Sequence, residues 1–201
     1  WTALIAALRA VLPQVDQALE LGLALFPAPQ VAGLTMDEQT CRIEAALAVE
    51  PRYGAAATIL ATLARVPPQG GTPTASALQT AFSWYLRSPD RDGERYVILA
   101  TDGGPNCNLV ADNRTCRCTG GPMLCADTNS FARINCLDEG PALAEVRALH
   151  AAGVRTFVIG LNGTQDFADV LNRMADAGGR ARVGDVRYYP AASATEIESE
   201  L

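Results

Sequence analysis

Lysine is missing altogether: all 16 cationic side chains among the 201 residues are arginine. We read this as the codon usage of a GC-rich genome rather than as chemistry. Against 22 acidic residues the arginines leave a formal net charge of −6 with no basic run, which argues against a nucleic-acid partner. Histidine occurs once, at His150, just before Gly153 near the expected end of a helix. An imidazole there meets the helix dipole favourably, and no serine or cysteine nucleophile motif accompanies it. No apolar run approaches the ~20 residues that a membrane span needs. G-x-S-x-G, the P-loop and G-x-G-x-x-G are absent too, which removes the usual signatures of serine hydrolases, NTPases and dinucleotide enzymes. What is present is a folded chain, 49% hydrophobic, of a length that suits one domain.

Cysteine is the unusual residue. Five of the six fall in Cys107-x8-Cys116-x-Cys118-x6-Cys125-x10-Cys136, and Cys41 stands far upstream. No pair has the C-x2–4-C knuckle spacing of a zinc site, and His150 lies outside the cluster, although four cysteines holding zinc remains an alternative. Disulfides fit better, because a stretch rich in Gly, Asn, Asp and Thr buries too little apolar surface to hold its own shape. Disulfides imply an oxidising, extracytoplasmic setting, whether periplasmic, surface-attached or secreted. Six cysteines allow 15 connectivities, and spacing does not choose among them. Asn113-Arg114-Thr115 and Asn162-Gly163-Thr164 match the glycosylation sequon, a short and weak pattern.

Periodicity orders the rest. Trp1, Leu4, Ile5, Leu8, Val11 and Leu12 recur at helical spacing. Leu21 to Phe26 reads as a buried strand, Ala45 to Val49 as an edge strand, and Tyr53 to Leu63 as a helix. A helix after Gly71-Thr72-Pro73 carries Leu78, Ala81, Phe82, Tyr85 and Leu86 on one face. Tyr96 to Ala100 is a continuous apolar run, as expected of a parallel strand covered on both faces. Residues 103–137 show no periodicity, which marks a functional insertion. A helix over 139–152, a strand from Val154 to Gly160, a helix with Phe167, Val170, Leu171 and Met174, and a strand from Arg187 to Tyr189 follow. Ser193-x-x-Glu196 is a capping box opening a last helix. The alternation predicts an α/β fold with a doubly wound, mostly parallel sheet flanked by helices on both faces.

In such folds ligands sit beyond the carboxyl ends of the strands. Asp102 follows the strongest strand, and Thr72 precedes a helix start facing the same rim. A carboxylate with hydroxyls forms a hard-oxygen site suited to Mg²⁺. Each residue also has an ordinary explanation: Thr72 as a helix cap ahead of Pro73, and Asp102 as a turn residue before Gly103. Acidic pairs such as Asp37-Glu38 and Asp138-Glu139 read as solvated loop or first-turn charges.

Taken together these segments resemble the von Willebrand factor A domain family. Gly71-Thr72-Pro73-Thr74-x-x-x-Leu78 is similar to its metal-site threonine loop, and Val97-Ile98-Leu99-Ala100-Thr101-Asp102-Gly103 to its strand ending in T-D-G. Val158-Ile159-Gly160 is similar to a later strand, and the opening Trp-x-x-Leu helix to the first helix. The resemblance covers residues 1–201 as a single domain, with 103–137 as a cysteine-rich insertion in it. It implies a non-enzymatic adhesion-type module with a metal-ion-dependent adhesion site for Mg²⁺, or another divalent cation such as Ca²⁺ or Mn²⁺. By position Thr72 and Asp102 are the ligands, Thr74 and Ser76 weaker ones, and an acidic side chain of a protein partner completes the coordination. The family's D-x-S-x-S motif does not occur in the chain, which leads to the expectation that the native protein extends N-terminally by the strand that carries it. Thr72 and Asp102 alone leave an octahedral ion in need of about four more oxygens.

The same topology implies that the loop holding Cys41 lies near the loop after T-D-G. Cys41 is then expected to pair with an insert cysteine, Cys107 foremost because it lies just past Asp102, with Cys116, Cys118, Cys125 and Cys136 pairing among themselves. The insert leaves the strand end directly after Asp102, so Gly103, Gly104, Asn106 and Asn108 are the expected partner-contacting residues. The competing readings are a Mg²⁺-dependent α/β hydrolase or phosphatase using Asp102, and a structural zinc module. Oligomeric state is not readable from the chain.

Overall fold

A computed structural model describes residues 1–35, 39–88, 93–127, 131–191 and 195. Helix α1 (Thr2–Val15) leads to β1 (Leu21–Leu23), and β2 (Val49–Arg52) to α2 (Ala56–Leu63) and α3 (Thr74–Arg87). Strand β3 (Arg95–Thr101) precedes the insert, after which come α4 (Glu139–Ala151), β4 (Val154–Gly160), α5 (Ala168–Ala177) and β5 (Tyr189–Pro190).

The expectation of one doubly wound, mostly parallel sheet is overturned. The strands form two sheets: an antiparallel pair β1–β2, and a parallel three-stranded sheet in the order β3–β4–β5. The apolar run at Leu21 becomes a strand of three residues rather than six. Its partner β2 contains Pro51, which has no N–H to give a ladder. Among the described residues no ladder joins β1 to β3. Hydrophobic pattern locates strands; which edges pair is decided by backbone geometry that the pattern does not encode.

The parallel sheet is regular, in register from Arg95 opposite Val154 to Thr101 opposite Gly160. On one face Leu99, Val154 and Val158 pack with Leu78 of α3, Val146 and Leu149 of α4, and Val170, Leu171 and Met174 of α5, forming the main core. On the other face α1 places Ala7 against Ile159, with Ala3 and Leu4 beside Ala100. Another flank of α1 brings Ile5, Leu8 and Leu12 onto Leu21, Leu23 and Val49. One helix thus rests on both sheets. Below α1 the outer face is aromatic. Tyr96, Phe157 and Tyr189 form a ladder with ring centroids 5.7 Å apart, and the Arg180 guanidinium lies over Tyr96 and Phe157.

Strand β5 starts at Tyr189, two residues later than the sequence suggests. The capping box Ser193-x-x-Glu196 lies outside the described residues. His150 is in the last turn of α4, with Nδ1 2.8 Å from the Ala177 carbonyl, and so ties the ends of α4 and α5 together.

Candidate functional site

The rim where β3 ends is built by three chain segments: the loop before α3, the turn after β3, and the first part of the insert. Thr101 is buried, and its hydroxyl donates to the Gly103 carbonyl at 3.0 Å, which folds the chain sharply after Asp102. Gly104 lies against the Phe167 ring; a Cβ there would stand 2.5 Å from Cδ1, so only glycine fits. The chain then returns to the loop before α3. The Asn106 amide donates to the Thr72 carbonyl at 2.9 Å, and the Thr72 amide donates to Asn106 Oδ1 at 2.6 Å. The other end of the Asn106 side chain donates to the Thr119 hydroxyl at 2.9 Å, and that hydroxyl donates to the Asn135 carbonyl.

Three disulfides hold this arrangement. Cys41 is bonded to Cys107, Cys116 to Cys136 and Cys118 to Cys125, and no cysteine is free. The one group of three or more potential ligand atoms of His, Cys, Asp or Glu among the described residues is Cys116, Cys125 and Cys136. All three sulfurs are already in disulfides, so no thiolate is left for zinc, which needs the deprotonated ligand. Two short 3-10 turns, Pro122–Cys125 and Ala132–Asn135, order what reads in the sequence as an unstructured stretch.

The expected site residues divide into used and unused groups. Thr74 is buried, with its hydroxyl 3.4 Å from the Thr72 carbonyl. Ser76 is exposed on α3. Gly104 and Asn106, expected at a partner surface, are buried and hold the rim together from within. Asn108 is half-buried and donates to Asp138 Oδ1 at 2.8 Å. Thr72 does not cap α3, whose N-terminal residue Pro73 has no side-chain cap bond. Its hydroxyl points to the turn after β3, 3.7 Å from where a Cβ on Gly103 would be. The Asp102 carboxylate is exposed, and among the described residues neither it nor the Thr72 hydroxyl has a hydrogen-bond or ion-pair partner. The rim therefore presents one unspent carboxylate and one unspent hydroxyl, beside Asn106 and Asn108, whose side chains are engaged. As donors these two are hard oxygens, right in kind for a divalent cation and too few to hold one alone.

Two residues escaped the sequence reading. Asp138 is not a solvated charge: it is buried at the start of α4, its N–H donates to the Pro105 carbonyl, and burial pushes its carboxyl above the ordinary range against the opposing Asn108 hydrogen bond. Arg117, in the insert, pairs with Asp169 at 3.0 Å, reaches the Asp166 carbonyl and lies over the Phe167 ring. Arg173 joins Asp169 to Glu139, so this ion network ties the insert to α4 and α5. The one signal available was that acids cluster at the starts of both helices.

No protein-family model matches the chain, and no curated protein matches it in sequence. Among solved structures it is similar to the pilus adhesin SpaC from Lactobacillus rhamnosus GG, in two crystal structures. One gives a TM-score of 0.61 at 18% identity. The other, titled as an open conformation, gives 0.58 at 17% identity. In both, 99% of this chain is covered, and the chain spans 26% of the adhesin's length. The likeness establishes that the fold is shared with part of that adhesin.

Proposed function

We propose that this chain is a non-enzymatic, adhesion-type module that binds a protein partner outside the cytoplasm, at the rim where β3 delivers Asp102. The observation that carries the reading is the pair of unspent oxygens on Thr72 and Asp102, set in a rim where Asn106 is committed to internal bonds. The fold shared with part of a pilus adhesin supports it, and so do three disulfides, which persist in oxidising compartments.

The finer reading rests on the resemblance to von Willebrand factor A domains. Thr72 and Asp102 would hold a divalent cation, Mg²⁺ or in its place Ca²⁺ or Mn²⁺, which when bound offers a positive centre to an acidic side chain of the partner. The chain's own part is to fix the two oxygens. The disulfide-tied insert forms a wall on one side and decides which partner fits.

Mn²⁺ tests this directly. In two-dimensional NMR spectra of the chain, added Mn²⁺ should broaden the amides of Thr72, Asp102 and Gly103 first. Acetate, standing in for a partner carboxylate, should shift the Gly103 and Asn108 amides only when Mg²⁺ is present. Asp102→Ala should abolish both responses and leave the melting temperature unchanged, because the side chain is exposed and unbonded. Broadening that begins elsewhere, or that survives Asp102→Ala, would refute the cation site.

A further inference from the structure

Cys107 is the only non-glycine residue among those described with a positive φ, at 79°. Side chains other than glycine rarely adopt this region, and they persist there only when the surroundings impose it. Here the surroundings are explicit. The Cys107 sulfur is bonded to Cys41, and its amide donates to the Ile134 carbonyl at 2.9 Å. The sulfur also packs on Gly71, where a Cβ would lie 2.6 Å from it. On the Cys41 side, the Gly71 amide donates to the carbonyl of neighbouring Thr40 at 2.8 Å. The loop before α3 is therefore clamped between residues adjacent to the two bonded cysteines: Thr40 grips Gly71, and Asn106 grips Thr72.

We propose that the Cys41–Cys107 disulfide is a redox latch that sets the position of the Thr72 loop against the turn carrying Asp102. The co-reactant is a dithiol. One of its thiolates attacks the Cys41 sulfur, since that of Cys107 packs on Gly71, and a mixed disulfide forms as the Cys41–Cys107 bond breaks. The dithiol's second thiolate attacks its own sulfur in that mixed disulfide and releases Cys41. The dithiol ends as a disulfide, and Cys41 and Cys107 end as two thiols, having taken up two electrons and two protons. Cys107 then relaxes from its left-handed conformation, Asn106 loses the register that serves Thr72, and the loop parts from the rim.

The other two bonds resist. Each has one buried end, Cys136 and Cys125, whereas both ends of the latch are half-buried. Both bonds join residues close in sequence, with separations of 20 and 7 against 66 for the latch, so their thiols are held near one another for re-closure. The insert keeps its shape while its attachment to the Thr72 loop is released.

The test is limited reduction with dithiothreitol, quenched by alkylation and mapped by mass spectrometry. Cys41 and Cys107 should be alkylated about tenfold faster than the other four cysteines. In the singly reduced protein, and in a Cys41→Ser/Cys107→Ser double variant, hydrogen exchange at the Thr72 and Asn106 amides should rise while Leu99 and Val158 stay protected. Earlier opening of either insert disulfide overturns the proposal, and so does unchanged exchange at Thr72 and Asn106. Loss of Leu99 and Val158 protection on single reduction also overturns it, since the bond would then hold the whole fold. None of these readouts involves a cation, so failure of the Mn²⁺ experiment and failure of the latch are separate results.

Discussion

The parallel sheet and the insert solve the problem of staying folded in opposite ways. Val146, Leu149, Val154, Val158, Val170 and Met174 are completely shielded between β3–β4 and helices α3 to α5. The insert buries Ala132 and Ile134 besides two disulfide cysteines, Cys125 and Cys136, and turns Leu109, Val110 and Met123 outward, at 66%, 88% and 76% exposure. Its order comes from two internal disulfides and from polar anchors to the sheet domain: Asn106 on Thr72, Asn108 on Asp138, and Arg117 on Asp169. Apolar burial is non-directional and tolerates drift on a surface, whereas covalent links and oriented hydrogen bonds fix positions. A region whose surface is open to a partner gains from the second kind of support. The insert can vary its exposed residues without touching what holds it.

That contrast breaks first, if it breaks, on single truncations. Leu149→Ala removes a fully buried side chain and should destabilise the fold by about 2–5 kcal/mol. Val110→Ala deletes nearly as many apolar carbons at an exposed site and should change stability by less than about 0.5 kcal/mol. Urea unfolding of the two variants, followed by circular dichroism, provides the comparison. A cost above about 1 kcal/mol for Val110→Ala would mean that the insert has an apolar core of its own.

The next effect is local. A Cys116→Ser/Cys136→Ser variant opens a link across a separation of 20 residues, for which chain entropy gives about 3 kcal/mol. Because the sheet does not depend on that link, the loss should fall on the insert. Exchange at the Thr119 and Leu137 amides, which donate to Asn135 and Arg117, should rise while Leu99 and Val158 keep their protection. Equal loss of protection in both regions would join them into one cooperative unit and remove the distinction.

The sheet was the more legible of the two. Tyr96 to Ala100 is a continuous apolar run and Val154 to Gly160 a largely apolar one, and both are strands within one residue of their expected ends. At Leu21 the six-residue run overestimated a strand of three, and its pairing in a second sheet was invisible because the pattern carries no information about edges. At the rim, the positions of Thr72 and Asp102, beside a helix start and a strand end, follow from the sequence. The burial of Asn106 and Asp138 does not. It depends on the insert folding back over the loop before α3 and the start of α4, a long-range closure that no local spacing records. The link from Cys41 to Cys107 came from the family resemblance rather than from spacing.

The smallest expected effect probes the seam between the two regions. Asp138 is buried where the insert meets α4. Desolvation raises its carboxyl above the ordinary range, while the Asn108 hydrogen bond pulls the other way. The start of α4 also favours a negative charge, and the adjacent Glu139 has its charge matched by Arg173. A carboxyl whose folded-state pKa is raised contributes its full stability while protonated, below its unfolded pKa, and loses that contribution as pH rises through the folded value. Ionising wild-type Asp138 therefore lowers the stability of the fold as pH rises. Asp138→Asn keeps an acceptor for Asn108 Nδ2 and removes the ionisation. The variant should melt above the wild type at pH 7 by a few degrees at most, a gap that closes as pH falls below the ordinary carboxylate range of about 4. Thermal melts of both proteins across this window measure the gap. If the variant melts lower at pH 7, the α4 terminus and Asn108 outweigh burial, and the seam is held by charge rather than in spite of it.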